Sequence, residues 1–355
     1  MVITRNDAPS GGAYQAASHR AVHGPAVTPR TRRTVVVTGA TAGLGRALVL
    51  RFARAGYRIG LIARDGKALV DVAQEVLTLG GDPVVVATDV ADADAMFAAA
   101  DRIAADLGPI DIWINNAMVT VFSTVADISP QEFRGVTEVT YLGFVHGTMA
   151  ALRHMRPRNS GRIIQVGSAL AYRGIPLQAA YCGAKHAIRG FTDSLRSELV
   201  REGSHITLAM IQLPAMNTPQ FDWARTRRLH EPRPVGPVMQ PEAVADAIFR
   251  VAYGRRREYW IGTSTVETIV GAIALPGFLD RYLARHAYEA QDRASAVAPD
   301  RRDNLDEPIY ALHRVRGSFD DEARSSVLLV SGAAVRTGIA ALGVVLILVG
   351  AALIA

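Results

Sequence analysis

The chain has 355 residues, which is enough for one large α/β domain with additional segments, and its 49% hydrophobic and 20% charged residues are typical of a globular core. The net charge of +6 comes from scattered arginines without interleaved aromatic residues, which argues against a nucleic-acid partner. The single cysteine, Cys182, excludes an intrachain disulfide, and the histidines show no metal-ligand spacing, so we expect no metal site.

The first predicted strand leads into a glycine-rich turn. Residues 1–32 lack apolar periodicity and are predicted to be a disordered tail, whereas Thr34–Thr38 is a β-branched run typical of a buried parallel strand. Glycines between a strand and a helix let the backbone approach a pyrophosphate, which the helix N-terminus also attracts. An ordinary strand–helix turn is the alternative. The residues predicted to bind a dinucleotide here are Gly39, Thr41, Gly43, Leu44 and Gly45.

The second predicted strand, Arg58–Ala63, ends at Arg64 and Asp65. In a dinucleotide-binding fold this strand end meets the adenosine ribose, where an acidic residue accepts from the ribose hydroxyls and an arginine pairs with a 2′-phosphate. Because Arg64 comes first, the sequence favours NADP over NAD. The alternative is that Arg64 is solvated and Asp65 only caps the next helix.

Further strands alternate with helices. Pro83–Val90 is predicted as the third strand, with Asp89 and Val90 beside the adenine. The fourth strand, Asp111–Asn115, continues into Asn116 and Ala117, which are expected to border the nicotinamide. This rhythm predicts a Rossmann-type, doubly wound parallel sheet of about seven strands.

Three residues have the chemistry of proton transfer to an alcohol oxygen. Ser168 follows the apolar run Arg162–Val166, and Tyr181 and Lys185 are four residues apart, on one face of a helix. A nearby ammonium lowers the pKa of a phenol, and a serine hydroxyl can hold a carbonyl or carbinol oxygen. A surface helix and a capping serine are the alternative interpretation.

With these residues, the chain resembles the short-chain dehydrogenase/reductase family over about residues 33–262. The motifs that carry the resemblance are Thr38-Gly39-x-x-x-Gly43-x-Gly45, Asn115-Asn116-Ala117, and Ser168 with Tyr181 and Lys185. The resemblance implies an oxidoreductase that interconverts an alcohol and its ketone or aldehyde with a nicotinamide cofactor. It also implies a homo-oligomer, either a dimer or a tetramer.

The resemblance further implies a role for each matching residue. Tyr181 would be the general acid/base, and Ser168 would position the substrate oxygen. Lys185 would lower the pKa of the tyrosine and hold the nicotinamide ribose. Pro214 and Thr218 would meet the carboxamide end of the nicotinamide.

The chain departs from the family pattern at three positions. Met118 and Ala215 each replace a usual glycine. Thr140, in the predicted helix Gln131–Met155, stands where an asparagine usually completes a catalytic tetrad. Thr140 and Met118 leave open a second function, a low-turnover NADP(H)-binding scaffold or redox sensor. A third, minor alternative keeps the fold and carries out epimerisation or dehydration.

The segment Pro214–Gln240 is polar and proline-rich, and we predict that it forms a flap over the substrate, with a surface loop as the alternative. A mostly apolar wall predicts a small hydrophobic alcohol or carbonyl substrate, although each wall residue could equally belong to the core. The candidate substrate-pocket residues are Met118, Leu170, Ile175 and Met216.

Three segments follow the predicted catalytic domain. Residues 263–289 form an apolar extension interrupted by Pro276, for which docking beside the flap, a dimer face and contact with a membrane surface are the alternatives. Residues 290–336 are predicted to be a charged linker. Thr337–Ala355 carries no charge and is long enough for a transmembrane helix, which predicts a single-pass C-terminal membrane anchor. The arginines before it favour a cytoplasmic catalytic domain. A buried helix or an oligomer contact is the alternative.

Overall fold

The structure, a computed structural model, describes residues 32–341, and a central β-sheet organises them. Parallel strands with buried, β-branched side chains need helices on both faces, and the chain supplies a helix after most of them. The strands are β1 Thr34–Thr38, β2 Arg58–Ala63, β3 Asp82–Ala87, β4 Ile110–Asn115, β5 Val121–Phe122, β6 Arg162–Val166, β7 Thr207–Gln212, β8 Arg225–Thr226, β9 His230–Pro232, β10 Glu258–Ile261, β11 Asp292–Ala296 and β12 Leu329–Ser331.

Helices connect these strands and cover the sheet. Asp65, Asp92 and Ser129 each cap a helix start by accepting a backbone N–H bond. The helices are α1 Gly43–Ala53, α2 Gly66–Thr78, α3 Ala93–Leu107, α4 Pro130–Thr137, α5 Gly143–Met155, α6 Ala179–Arg201, α7 Gln220–Trp223, α8 Pro241–Val251, α9 Thr263–Ala274 and α10 Pro276–His286.

The main sheet has the order β12-β10-β7-β6-β4-β1-β2-β3. The seven strands from β10 to β3 are parallel. After β3 the chain returns to the other side of β1, so β1 and β4 are neighbours at the point where the strand order reverses. Ligands of such sheets bind outside the carboxyl ends of the strands at this point.

The sheet has eight strands, one more than the sequence predicts, because β12 pairs antiparallel with β10. β12 has three residues and lies within residues 290–336, where composition predicts a charged linker. In the structure this segment also forms β11, and Leu305 and Phe319 are buried. The structure therefore differs from the predicted linker: these residues pack against the domain.

The predicted helix Gln131–Met155 is interrupted. A π-helical turn, Glu138–Leu142, separates α4 from α5 and contains Thr140. π-turns inside helices are frequently found at functional sites. Beyond it, the start of α5 packs closely on the loop after β3, since a Cβ at Gly143 would lie 2.5 Å from the Val90 side chain.

Residues 332–341 are helical. Of the predicted anchor Thr337–Ala355, residues 342–355 lie outside the described part, as do residues 1–31 of the predicted N-terminal tail. Within residues 32–341, no helix combines the length and the apolar character needed to cross a bilayer.

Candidate active site

Ser168 lies just beyond the carboxyl end of β6. Its backbone amide donates to the Gln212 side chain over 2.9 Å, which fixes this turn against β7. Its hydroxyl oxygen accepts from the Leu170 amide over 3.1 Å. A hydroxyl has one proton to donate and two acceptor positions, so this contact leaves the proton available for another partner.

Tyr181 and Lys185 lie one turn apart on α6, and the lysine is 1% exposed. The Lys185 ammonium donates to the Val166 carbonyl over 2.8 Å. It lies 4.6 Å from the centre of the Phe144 ring and 5.5 Å from the centre of the Tyr181 ring. The lysine is therefore held between the end of β6 and the phenol ring.

Burial controls the ionisation of both side chains. It raises the pKa of the Tyr181 phenol above its ordinary 10.0, and the interaction with the Ser168 hydroxyl opposes this shift. Burial also lowers the pKa of Lys185 from 10.5 to about 7. From the sequence, the ammonium is expected to lower the pKa of the phenol. In the structure the loss of water around both groups is the larger effect, because it disfavours the phenolate and the ammonium alike.

The turn after β1 forms a narrow cradle. Gly39 and Gly43 have φ values of +67° and +53°, which favour glycine. A Cβ at Gly39 would lie 2.9 Å from the Ala117 Cα, and one at Gly45 would overlap the Gly39 carbonyl oxygen. Asn116 closes the other side by donating its side-chain amide to the Thr38 carbonyl over 3.0 Å. This cradle, at the N-terminus of α1, fits the pyrophosphate of a dinucleotide.

One cavity of about 650 Å³ joins the cradle to Ser168 and Tyr181. Gly45 lies behind it, against Gly39. The other predicted site residues line the cavity: Gly39, Thr41, Gly43, Leu44, Arg64, Asp89, Val90, Asn116, Ala117, Met118, Ser168, Leu170, Ile175, Tyr181, Lys185, Pro214, Met216 and Thr218.

Thr140 is fully buried, and its hydroxyl is engaged with the backbone of Val119. The hydroxyl donates to the Val119 carbonyl over 2.8 Å and accepts from the Val119 amide over 3.0 Å. Its single proton is thus used within the protein. Thr140 fastens the π-turn to the segment after β4, and it does not offer a proton to a water molecule in this arrangement.

Two parts of the cavity wall are not among the site residues predicted from the sequence. The first is the pair α9 and α10, within the segment predicted only as an apolar extension. It contributes Thr265, Thr268, Leu279, Tyr282 and Leu283. The second is residues 304–319, which we call the strap, with Asn304, Pro308, Ile309 and His313. The apolar stretch in α9 was the available signal for the first, whereas the composition of the strap gave none.

The strap runs across the cradle and the end of β2. The Gly43 amide donates to the Arg314 carbonyl over 2.9 Å. The Arg64 guanidinium donates to the carbonyls of Asn304, Leu305 and Asp306 over 2.6, 3.1 and 3.1 Å. Three of the five N–H groups of this arginine therefore hold the strap, and the other two have no acceptor among residues 32–341.

Comparisons with known proteins agree with this geometry. Residues 33–228, more than half of the chain, match the sequence model of the short chain dehydrogenase family. The oxidoreductase YxnA of Bacillus subtilis, itself uncharacterized, is 29% identical over 73% of this chain and 73% of its own length. The dehydrogenase/reductase SDR family member 7B of Bos taurus is 34% identical over 49% of this chain and 55% of its own length. The chain thus spans little more than half of the bovine relative.

A solved structure shares the fold. It is the alcohol dehydrogenase of the archaeon Thermococcus sibiricus, complexed with 5-hydroxy-NADP. The TM-score is 0.57 at 22% identity, and the match covers 64% of this chain and 95% of that protein. The similarity therefore extends over nearly the whole of the archaeal domain and leaves about a third of this chain outside it.

Proposed function

Given that the chain belongs to the short-chain dehydrogenase family, we propose that it is an NADP(H)-dependent oxidoreductase for a hydrophobic alcohol and its ketone or aldehyde. The observation that carries this proposal is the single cavity that contains the glycine cradle together with Ser168, Tyr181 and Lys185. A cofactor held on the cradle and a substrate oxygen held at Tyr181 would share that cavity. The family binds NAD or NADP, which agrees with a dinucleotide on the cradle.

Each catalytic residue has a distinct task in this proposal. When bound, the nicotinamide supplies the hydride acceptor or donor. Ser168 donates its free proton to the substrate oxygen and orients it. Tyr181 passes a proton to that oxygen during reduction and removes one during oxidation. Lys185, fixed on the Val166 carbonyl, stabilises the phenolate that forms transiently in either direction.

The substrate side of the cavity supports an apolar substrate. Met118, Leu170, Ile175 and Met216 line it together with α9 and α10. Leu279 and Leu283 of α10 add aliphatic surface at the same wall. A pocket of this kind binds through the burial of apolar area, with a few polar groups that fix orientation.

Thr140 favours the second candidate function, a low-turnover cofactor-binding scaffold or redox sensor. Its proton is committed to the Val119 carbonyl, so a proton relay that passes through this position lacks a donor. Cofactor binding without turnover is the signature of this alternative. Turnover of a ketone that is lost on Tyr181→Phe separates the two functions.

We propose that Arg64 gives the preference for NADP through its two free N–H groups. Arg64→Gln should lower the NADPH affinity about tenfold relative to NADH, since a charged hydrogen bond contributes about 1.5–3 kcal/mol. The ratio of the two dissociation constants, measured by titration, checks this prediction. Arg46→Gln is the matched control, because Arg46 also holds the strap, at the His313 carbonyl. Arg46→Gln should weaken the binding of NADPH and of NADH equally. An equal loss of affinity for the two cofactors with Arg64→Gln would refute the assignment.

We also propose that Thr337–Ala355 attaches the protein to a membrane, on the basis of its uncharged sequence. Deleting residues 337–355 should then move the protein from the membrane pellet to the supernatant after centrifugation. Deleting residues 1–31 instead should leave the distribution unchanged. A full-length protein found in the supernatant would refute the anchor.

A further inference from the structure

His313 places a largely buried imidazole at the wall of the cavity, beside Asp65. The side chain is 9% exposed and lines the cavity. Within residues 32–341, neither of its ring nitrogens forms a hydrogen bond of good geometry; the polar groups nearest to them are the Asp65 carboxylate and the Thr41 backbone. Burying an imidazole in this way costs free energy, because its hydrogen bonds to water are not replaced. Such a group calls for a polar partner that enters the cavity.

Contacts of the backbone and of the imidazole ring fix the position of His313. Its own carbonyl accepts from the Arg46 side chain, and the next carbonyl, of Arg314, accepts from the Gly43 amide. The imidazole meets the Trp223 ring edge to face, with ring centres 5.4 Å apart. The backbone contacts connect the strap directly to the N-terminus of α1. The imidazole is therefore held in place beside the cradle before any ligand arrives.

The surroundings of His313 identify the part of the cavity that it faces. Its Nε2 lies 3.4 Å from the Asp65 carboxylate, at the end of β2. Asp65 already accepts from the Ala68 amide as a helix cap. Burial lowers the pKa of His313, with Asp65 opposing the shift, and this favours the neutral imidazole, which has one donor and one acceptor. In this fold, the end of β2 is where the adenosine ribose binds.

From this geometry we propose that the strap is a wall of the dinucleotide site and that His313 hydrogen-bonds the adenosine ribose or its 2′ substituent. The inference rests on the proposed function, since it requires a dinucleotide on the cradle. It adds a binding residue from outside the part of the chain that matches the family, which ends at residue 228. A purely structural pairing of His313 with Asp65 is the competing explanation.

Binding of half-cofactors separates the two explanations. His313→Phe keeps an aromatic ring against Trp223 and removes both nitrogens. We expect it to weaken NADPH and adenosine 2′,5′-bisphosphate about tenfold, equivalent to about 1.4 kcal/mol, with no effect on nicotinamide mononucleotide. His313→Gln, which retains a donor and an acceptor, should recover part of the affinity. The exposed His205→Phe is the matched control and should change none of these constants.

Titrations on the full chain, followed by calorimetry, give outcomes that can be told apart. If His313→Phe binds both half-cofactors as the wild type does, the inference is wrong while the proposed function stands. Equal weakening of both half-cofactors with a lower Tm would mean a structural role and would also refute it. If the wild type binds no dinucleotide, the proposed function fails and the inference with it. Where the wild type binds both cofactors, the affinity that His313→Phe loses for NADH is compared with the affinity that it loses for NADPH. This comparison shows whether His313 hydrogen-bonds the ribose 2′-hydroxyl or the 2′-phosphate.

Limited proteolysis tests the strap as a whole. Arg314 and Arg316 are exposed trypsin sites within it. A strap that forms a wall of the occupied site should be cleaved several-fold more slowly at these residues when NADPH is saturating. Faster cleavage with NADPH would mean that the cofactor displaces the strap, which contradicts the proposal.

Discussion

Tyr181→Phe is expected to lower kcat for ketone reduction by about 10²- to 10⁴-fold, the range that positioned general acids contribute. Phenylalanine keeps the half-buried ring beside Lys185 and removes only the hydroxyl that transfers the proton. The dissociation constant of NADPH should therefore change little. The rate of NADPH oxidation with a panel of hydrophobic ketones, monitored by absorbance, gives kcat. A binding titration gives the dissociation constant of NADPH.

A matched control for this variant is Tyr141→Phe, in the π-turn. Tyr141 is absent from the cavity wall, so this change should leave kcat within about twofold of the wild type. Equal rates for Tyr181→Phe and the wild type would rule out the proposed mechanism. NADPH binding without turnover in the wild type, across the whole panel, would instead favour the scaffold function and direct attention to Thr140.

Lys185→Met is expected to stabilise the protein while abolishing most of its turnover. The pKa of Lys185 in the folded state, about 7, lies below its ordinary 10.5. Between these values the unfolded chain binds more protons, so wild-type stability rises with pH by at most about 1.4 kcal/mol per unit. Below pH 7 the lysine is charged in both states and the full cost of burying the ammonium applies. Methionine has no charge to bury, so its advantage should be largest at low pH.

Calorimetric Tm values at pH 6, 7.5 and 9 test this expectation. The Tm gain of Lys185→Met over the wild type should shrink as the pH rises. Lys67→Met is the matched control, because Lys67 is exposed and its substitution removes no buried charge, so it should give no comparable Tm gain. A Tm loss for Lys185→Met that is equal at all three pH values would contradict the burial argument.

Local sequence signals predict much of the candidate site. The turn after β1 needs glycine because of its φ values and close contacts, and these requirements leave a readable spacing. The four-residue separation of Tyr181 and Lys185 fixes their shared face once a helix is assumed. The parallel sheet follows in the same way from the alternation of strands and helices. The roles of Tyr181 and Lys185 in catalysis remain proposals.

The segment after β10 could not be predicted in this way, because its contacts are with residues far away in the chain. Its charges suggest a solvated linker, but they have distant partners. Arg225 pairs with Asp303 and Asp306, and Arg293 pairs with Asp222. Composition does not distinguish a charge that meets water from one that meets an opposite charge across the fold. The sequence likewise does not predict that burial raises the pKa of Tyr181, because this burial depends on contacts across the fold.

The strap also determines when the site is complete during synthesis of the protein. The bond from Arg46 to the His313 carbonyl joins residues 267 positions apart. Closing so long a loop is entropically costly, and such contacts form late in folding. During translation, the residues of the glycine cradle are synthesised early and those of the strap near the end. A nascent chain that has emerged as far as β10 therefore contains the cradle but not the wall that covers it.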